Sequence, residues 1–118
     1  RFKLIDGTGK KILVCQEIIK SLELTNVTAE QRRGEEEKGQ YEFVVSRAVM
    51  TLPELAKIVR KNISKRQQNS IPNGIICLKG GHLQGEMTPF KNIVEKTELT
   101  TWFEEEWFQE KYIIYLPC

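Results

Sequence analysis

The stretch Glu42-Phe43-Val44-Val45-Ser46-Arg47-Ala48-Val49-Met50-Thr51-Leu52-Pro53-Glu54-Leu55 decides how the rest of the chain is read. A short apolar run over 41–45 stops at Ser46-Arg47, and a helix-period pattern begins a few residues later. A brief run of β-branched and aromatic residues predicts a buried strand, and a strand that feeds a helix predicts an α/β unit. Open α/β sheets hold their ligands outside the carboxyl ends of the strands, which is where Arg47 stands. Downstream, Leu52, Leu55, Ala56, Val59 and Ile63 fall on one helical face, with Pro53 suited to the first turn. The layout returns in Gly74-Ile75-Ile76-Cys77-Leu78-Lys79-Gly80-Gly81, a second apolar run that ends in a cation and two glycines.

Outward from these two segments the pattern alternates. Residues 2–5 read as a strand and Asp6-Gly7-Thr8-Gly9 as a turn. From Lys10, the positions Ile12, Cys15, Ile19 and Leu22 repeat at helical spacing, and the helix is expected to end near Leu24. Residues 26–31 predict a short strand, and 32–40 a polar loop or short helix carrying Glu35, Glu36 and Glu37 in a row. A polar connection over 64–73 leads into the strand at 75–78, and a short helix is expected around 86–94. Two extended, aromatic and β-branched runs, 98–105 and 111–116, are joined by a polar turn and predict a hairpin. The expected class is α/β, a Rossmann-like sheet with a carboxyl-terminal antiparallel hairpin. Neither an internal repeat nor a low-complexity linker divides residues 1–118, so they read as a single domain.

Composition narrows the partners. A chain of 118 residues with 40% hydrophobic content furnishes one core. Eighteen basic and sixteen acidic side chains leave a charge of +2, so the total does not announce a nucleic-acid binder and only a local patch could make one. Cys15, Cys77 and Cys118 are odd in number and far apart, which fits reduced intracellular thiols and neither a disulfide framework nor a zinc site. With no apolar run of membrane-spanning length and no signal-peptide pattern, the expected location is the cytoplasm, without a membrane partner. The chain opens directly on a strand-like segment, which suggests a piece of a longer protein.

Several residues carry two readings. Asp6 ends a strand, where a carboxylate accepts hydrogen bonds from ribose hydroxyls; a turn or helix-capping aspartate would look the same. Arg32-Arg33-Gly34-Glu35-Glu36 offers carboxylates and backbone carbonyls to a donor, or is a solvated acidic loop. Arg47 suits a ligand carboxylate or phosphate bidentately, or a structural bridge to Glu54, and Ser46 beside it could orient it or approach a substrate. Lys79 could meet phosphate while Gly80 and Gly81 admit a backbone, or the glycines only make a tight exit from the strand. His82, the single histidine, lacks metal-ligand spacing. Lys57, Arg60, Lys61, Lys65 and Arg66 place five positive charges within ten residues, either tracking a phosphate backbone or forming a solvated helix face. Trp102, Phe103, Trp107 and Phe108 suit base stacking, but their place in a hairpin favours core or interface packing.

Four of these segments together resemble one family. Asp6-Gly7-Thr8-Gly9-Lys10-Lys11 follows its acidic–small–small–glycine–basic segment. Arg32-Arg33-Gly34-Glu35-Glu36 follows its arginine–small–glutamate–glutamate segment. Ser46-Arg47 and Leu78-Lys79-Gly80 match its two strand ends. The family is the 16S ribosomal RNA guanine-N7 methyltransferase G, once named glucose-inhibited division protein B. The resemblance implies a class I methyltransferase sheet, S-adenosylmethionine as cofactor, and a guanine N7 of 16S ribosomal RNA as the methylated atom. It assigns Asp6, Gly7 and Thr8 to the ribose side of the cofactor pocket, Gly34 and Glu35 to the adenine side, and Arg47 to cofactor binding. Lys79, Arg60 and Lys61 are then the candidates for RNA contact. No catalytic side chain and no metal are implied, since N7 already presents a lone pair and needs no base to deprotonate it.

The resemblance runs along the whole chain but over only about the last half of a family member. The amino-terminal helices, the first strand and its glycine-rich loop have no counterpart in these 118 residues. It therefore implies weak or no cofactor binding by these residues alone, and no activity. The family's first strand lies between the strands at 2–5 and 41–45, so their facing edges are expected to pair directly or with another chain, giving self-association. The rival reading is a non-catalytic Rossmann-like module that holds RNA or protein, and a third is a methyltransferase domain with a different substrate.

Overall fold

The computed structural model describes residues 1–47 and 50–118; Ala48 and Val49 of the stretch quoted above lie outside them. The chain divides into two compact units, residues 1–38 and 39–118.

In the first unit, β1 (Phe2–Asp6) leads through α1 (Gly9–Ser21) to β2 (Val27–Gln31). Parallel strands need a crossover connection, and α1 supplies it: β1 and β2 pair in parallel from Phe2↔Val27 to Asp6↔Gln31. Ile12 of α1 and Ala29 of β2 are buried, and the Gln16 carboxamide donates to the Ala29 carbonyl at 3.0 Å. The helix stops at Ser21, short of Leu24, because Glu23 turns left-handed at φ 53° and the chain cannot continue as a helix. The inward face is as expected at Ile12, Cys15 and Ile19, but Leu22 is exposed together with Leu13, Val14 and Ile18. Thus α1 is apolar on more than one face.

The second unit contains β3 (Phe43–Arg47), α2 (Leu52–Val59), β4 (Gly74–Gly80), α3 (Gln84–Met87), β5 (Glu95–Glu98) and β6 (Lys111–Pro117). Its sheet has the order β3-β4-β6-β5, with β3 and β4 parallel and β6 antiparallel to both neighbours. Leu52, Leu55, Ala56 and Val59 of α2 form one buried cluster with Ile75 and Cys77 of β4 and Ile114 and Leu116 of β6. Burying each large aliphatic side chain contributes about 1.5–3 kcal/mol before entropy is counted, so this cluster holds the unit together. The polar connection is tied down by Asn73, wholly buried, whose carboxamide donates to the carbonyls of Ser64 (2.8 Å) and Arg66 (3.0 Å). The α/β class, the Rossmann-like mixed sheet and the carboxyl-terminal antiparallel hairpin are as the sequence predicts.

Three details differ. The first hairpin strand is Glu95–Glu98, and residues 99–110 form a long connection with two 3-10 turns. Trp102, Phe103, Trp107 and Phe108 all lie in that connection and outside the core. Finally, Val45 of the strand expected to be buried is exposed.

Candidate functional site

The carboxyl edge of the first unit gathers one set of candidates. Asp6 ends β1, and its Oδ1 accepts the Thr8 backbone N–H at 2.7 Å, closing a short turn that leads into α1. Its second carboxylate oxygen has no hydrogen bond among the described residues. The Arg32 backbone N–H donates to the Asp6 carbonyl at 3.0 Å, which carries the chain leaving β2 past the end of β1. Gly7 consequently lies beside Arg33: a Cβ built on it would stand 3.6 Å from Arg33 Cγ. Gly34–Glu36 then forms a 3-10 turn in which the Glu36 carboxylate accepts from the Arg33 backbone N–H at 3.2 Å. Asp6, Gly7 and Thr8 are thereby brought against the turn that holds Gly34 and Glu35. The turn reading of Asp6 and the ribose reading are compatible, because the turn uses one oxygen and the ligand needs the other.

Sequence reasoning missed what orders this edge. Glu37, the last of the glutamate run, is buried and binds Lys3 at 2.8 Å and Arg32 at 3.3 Å, while its Oε1 also accepts the Lys38 backbone N–H at 2.9 Å. Glu30 sits 3.6 Å from Lys3 and 3.4 Å from Arg32, so the four charges alternate in sign. The available signal was Lys3, a cation between Phe2 and Leu4 in a strand, which implies an anionic partner nearby.

The second unit presents its own carboxyl edge. Arg47 ends β3, in register with Leu78 of β4, and is exposed. Among the described residues no carboxylate pairs with it, so the bridge to Glu54 is not formed. Ser46, next to it, is half-buried. Lys79 is nine-tenths buried: Nζ donates to the Met50 carbonyl at 2.6 Å and stands 3.3 Å from Glu86 Oε1. That oxygen is buried without a hydrogen-bond donor among the described residues, so the pair is held ionically. Gly81, at φ 77°, makes the left-handed exit from β4, its N–H donating to the Glu110 carbonyl at 3.0 Å. His82 is exposed beside it. Burial raises the Cys77 thiol pKa above its ordinary value, against the opposing pull of Lys79, which keeps that thiol protonated and inert.

Arg60 and Lys61 lie elsewhere. Residues 62–64 pair with Tyr41, just before β3, through Tyr41 N to Asn62 O and Ser64 N to Tyr41 O, each 2.7 Å. This puts Arg60 and Lys61 near the amino end of β3, opposite Arg47 and Lys79. Arg60 stands over the Phe90 ring at 5.8 Å from its centroid. Among the described residues no group of three or more His, Cys, Asp or Glu side chains is placed to hold a metal ion, and no helix is long and apolar enough to cross a membrane.

Comparison with known proteins adds to this geometry. The model of the family described as rRNA small subunit methyltransferase G matches residues 1–106. A relative from Bacteroides fragilis, named ribosomal RNA small subunit methyltransferase G, is 51% identical over 116 residues, covering 98% of this chain and 56% of that protein. One of the same name from Parabacteroides distasonis is 52% identical, covering 98% of this chain and 50% of that protein. Another from Flavobacterium johnsoniae is 42% identical over 117 residues, covering 99% and 56%. The chain spans about half the length of the curated relatives it matches. With the family model extending across both units and the matched strand ends in place, the chain belongs to the rRNA small subunit methyltransferase G family.

Proposed function

We propose that the chain is the carboxyl-terminal part of a cytoplasmic, S-adenosylmethionine-dependent methyltransferase that acts on N7 of a guanine in 16S ribosomal RNA. Its two units then belong to one methyltransferase domain. The observation that carries this reading is the meeting of the Asp6 turn and the Gly34–Glu36 turn at the carboxyl edge of a parallel strand pair. That is where α/β sheets take nucleotides, and the donor set suits one. The second Asp6 oxygen accepts from ribose hydroxyls, and a carbonyl or carboxylate of Gly34-Glu35 accepts from the adenine amino group. Arg47, exposed and without an ion-pair partner among the described residues, donates to the methionine carboxylate.

When bound, the cofactor supplies a methyl group on a sulfonium. Guanine N7 carries an in-plane lone pair, so the chain needs no general base. Its residues act by holding, orienting and excluding water. Lys79, Arg60 and Lys61 are proposed for RNA phosphate. For Lys79 this role requires sharing a charge that Glu86 already neutralises. Self-association through the open edges of β1 and β3 belongs to the same reading.

Isothermal titration of S-adenosylmethionine tests the cofactor reading. The 118-residue chain alone should give no saturable heat at micromolar ligand. The full-length product of its gene should bind, and Asp6→Asn should weaken that binding about tenfold, the worth of a charge-assisted hydrogen bond. Micromolar binding by the 118-residue chain would show that the family's glycine-rich loop is dispensable. Absence of binding by the full-length product would overturn the cofactor assignment.

A further inference from the structure

The connection between β5 and β6 carries an aromatic cluster that the methyltransferase reading leaves unused. Trp102 is 59% exposed, Trp107 63% and Phe103 43%. Phe103 and Phe108 stack at 4.4 Å between centroids with 19° between planes, and Trp107 meets Phe108 edge-on at 5.0 Å. Phe103, Trp107 and Phe108 therefore pack on one another, and none of the four rings belongs to the buried core cluster. Single exposed apolar residues need no explanation, but a stacked aromatic cluster with Trp102 a few residues away in the same connection is of the kind that marks an interaction site.

The charge around the patch selects the partner. Glu104, Glu105, Glu106 and Glu110 share this connection with the rings and are all exposed, and Lys111 follows at its end. Such a surface repels phosphate, so the base-stacking reading of these aromatics is electrostatically disfavoured. It attracts cations instead, because aromatic faces and carboxylates both favour positive charge. The chain provides an example of its own: Lys111 Nζ sits over the Trp107 ring at 5.4 Å from its centroid. The platform is also ordered in advance. Trp102 N to Leu99 O (3.0 Å), Phe108 N to Glu105 O (3.0 Å) and Gly81 N to Glu110 O (3.0 Å) fix its backbone, so little entropy is lost on docking.

We propose that the β5–β6 connection is a docking site for an arginine-rich protein segment. Guanidinium groups stack on the faces of Trp107 and Trp102 while the neighbouring glutamates accept their N–H donors. Arginine suits the site better than lysine because its plane stacks and its fork grips a carboxylate bidentately. The proposal does not depend on cofactor or RNA binding.

The chain's two tryptophans both lie in this connection, so their intrinsic fluorescence reads the site directly. The probes are a peptide of about ten residues alternating arginine and glycine and a uridine oligonucleotide of about ten nucleotides, at about 0.15 M salt. The peptide should give a saturable change in emission. The triple variant Glu104→Gln/Glu105→Gln/Glu106→Gln should keep its circular dichroism and bind about tenfold more weakly. The variant Glu17→Gln/Glu23→Gln, which removes two carboxylates from the other unit, should bind as the native chain does. Saturation by the oligonucleotide in place of the peptide would overturn the proposal. So would peptide binding that the triple variant leaves unchanged.

Discussion

Gly74→Ala is expected to destabilise the 39–118 unit by about 3 kcal/mol, in the upper range for overpacking a close contact. Gly74 opens β4 opposite Pro117 of β6. A Cβ built on it would overlap the Leu116 carbonyl oxygen and lie 2.9 Å from Pro117 Cα and 3.0 Å from the Leu116 carbonyl carbon. Every one of these atoms is backbone, so none can swing aside as a side-chain tip would. Relief requires moving β6, which would disturb the ladder from Gly74↔Pro117 to Gly80↔Lys111 and the packing of Ile114 and Leu116. Gly85→Ala in α3 is the control, because a Cβ there meets nothing within 4 Å. That variant should be neutral or gain up to about 1 kcal/mol, as alanine does over glycine in a helix. Urea unfolding followed by circular dichroism measures both; a Gly74→Ala chain as stable as the native one would contradict the assigned strand contact.

Glu86→Ala should cost a similar amount, about 3 kcal/mol, the low end for breaking a buried ion pair from one side. The variant leaves the Lys79 ammonium, 9% exposed, with the Met50 carbonyl as its remaining partner. The low end applies because that hydrogen bond survives and Glu86 is itself 14% exposed. Removing both charges is a different experiment. Lys79→Met/Glu86→Leu deletes the attraction together with the desolvation penalty, and should come within about 1 kcal/mol of the native chain. A double-mutant cycle by urea unfolding separates the two cases. Equal losses for Glu86→Ala and the double variant would mean that packing, not charge, is what Glu86 contributes.

The elements that sequence reasoning located well are those whose burial is written into local pattern. For α2, Pro53 marks the first turn and Leu52, Leu55, Ala56 and Val59 define one buried face. For β4, the run Ile75-Ile76-Cys77-Leu78 is β-branched and apolar, and it ends at the cation and glycines that mark a strand exit. β5 was displaced for the opposite reason. Glu95-Lys96-Thr97-Glu98 is polar throughout, as edge strands are, and it is a strand because β6 pairs with it at Thr97↔Ile113 and Glu98↔Tyr112. Leu99, Trp102 and Phe103 have stronger β propensity, and propensity yields to cross-strand pairing. In the candidate site, the places of Asp6 and Arg47 at the ends of β1 and β3 were legible because strand ends are. Glu37 and Glu86 were not, since their partners Lys3 and Lys79 are chosen by the fold: Lys3 is distant in the chain, and Lys79 is one cation among many.

We propose that this chain belongs to an enzyme that methylates guanine N7 in 16S ribosomal RNA, and mass spectrometry of that RNA's nucleosides tests this. The RNA is taken from cells lacking the gene and from the same cells complemented with the native gene or with Arg47→Ala. An N7-methylguanine should be lost from 16S RNA on deletion, return with the native gene, and return incompletely with Arg47→Ala. N7-methylguanine unchanged by the deletion would contradict it.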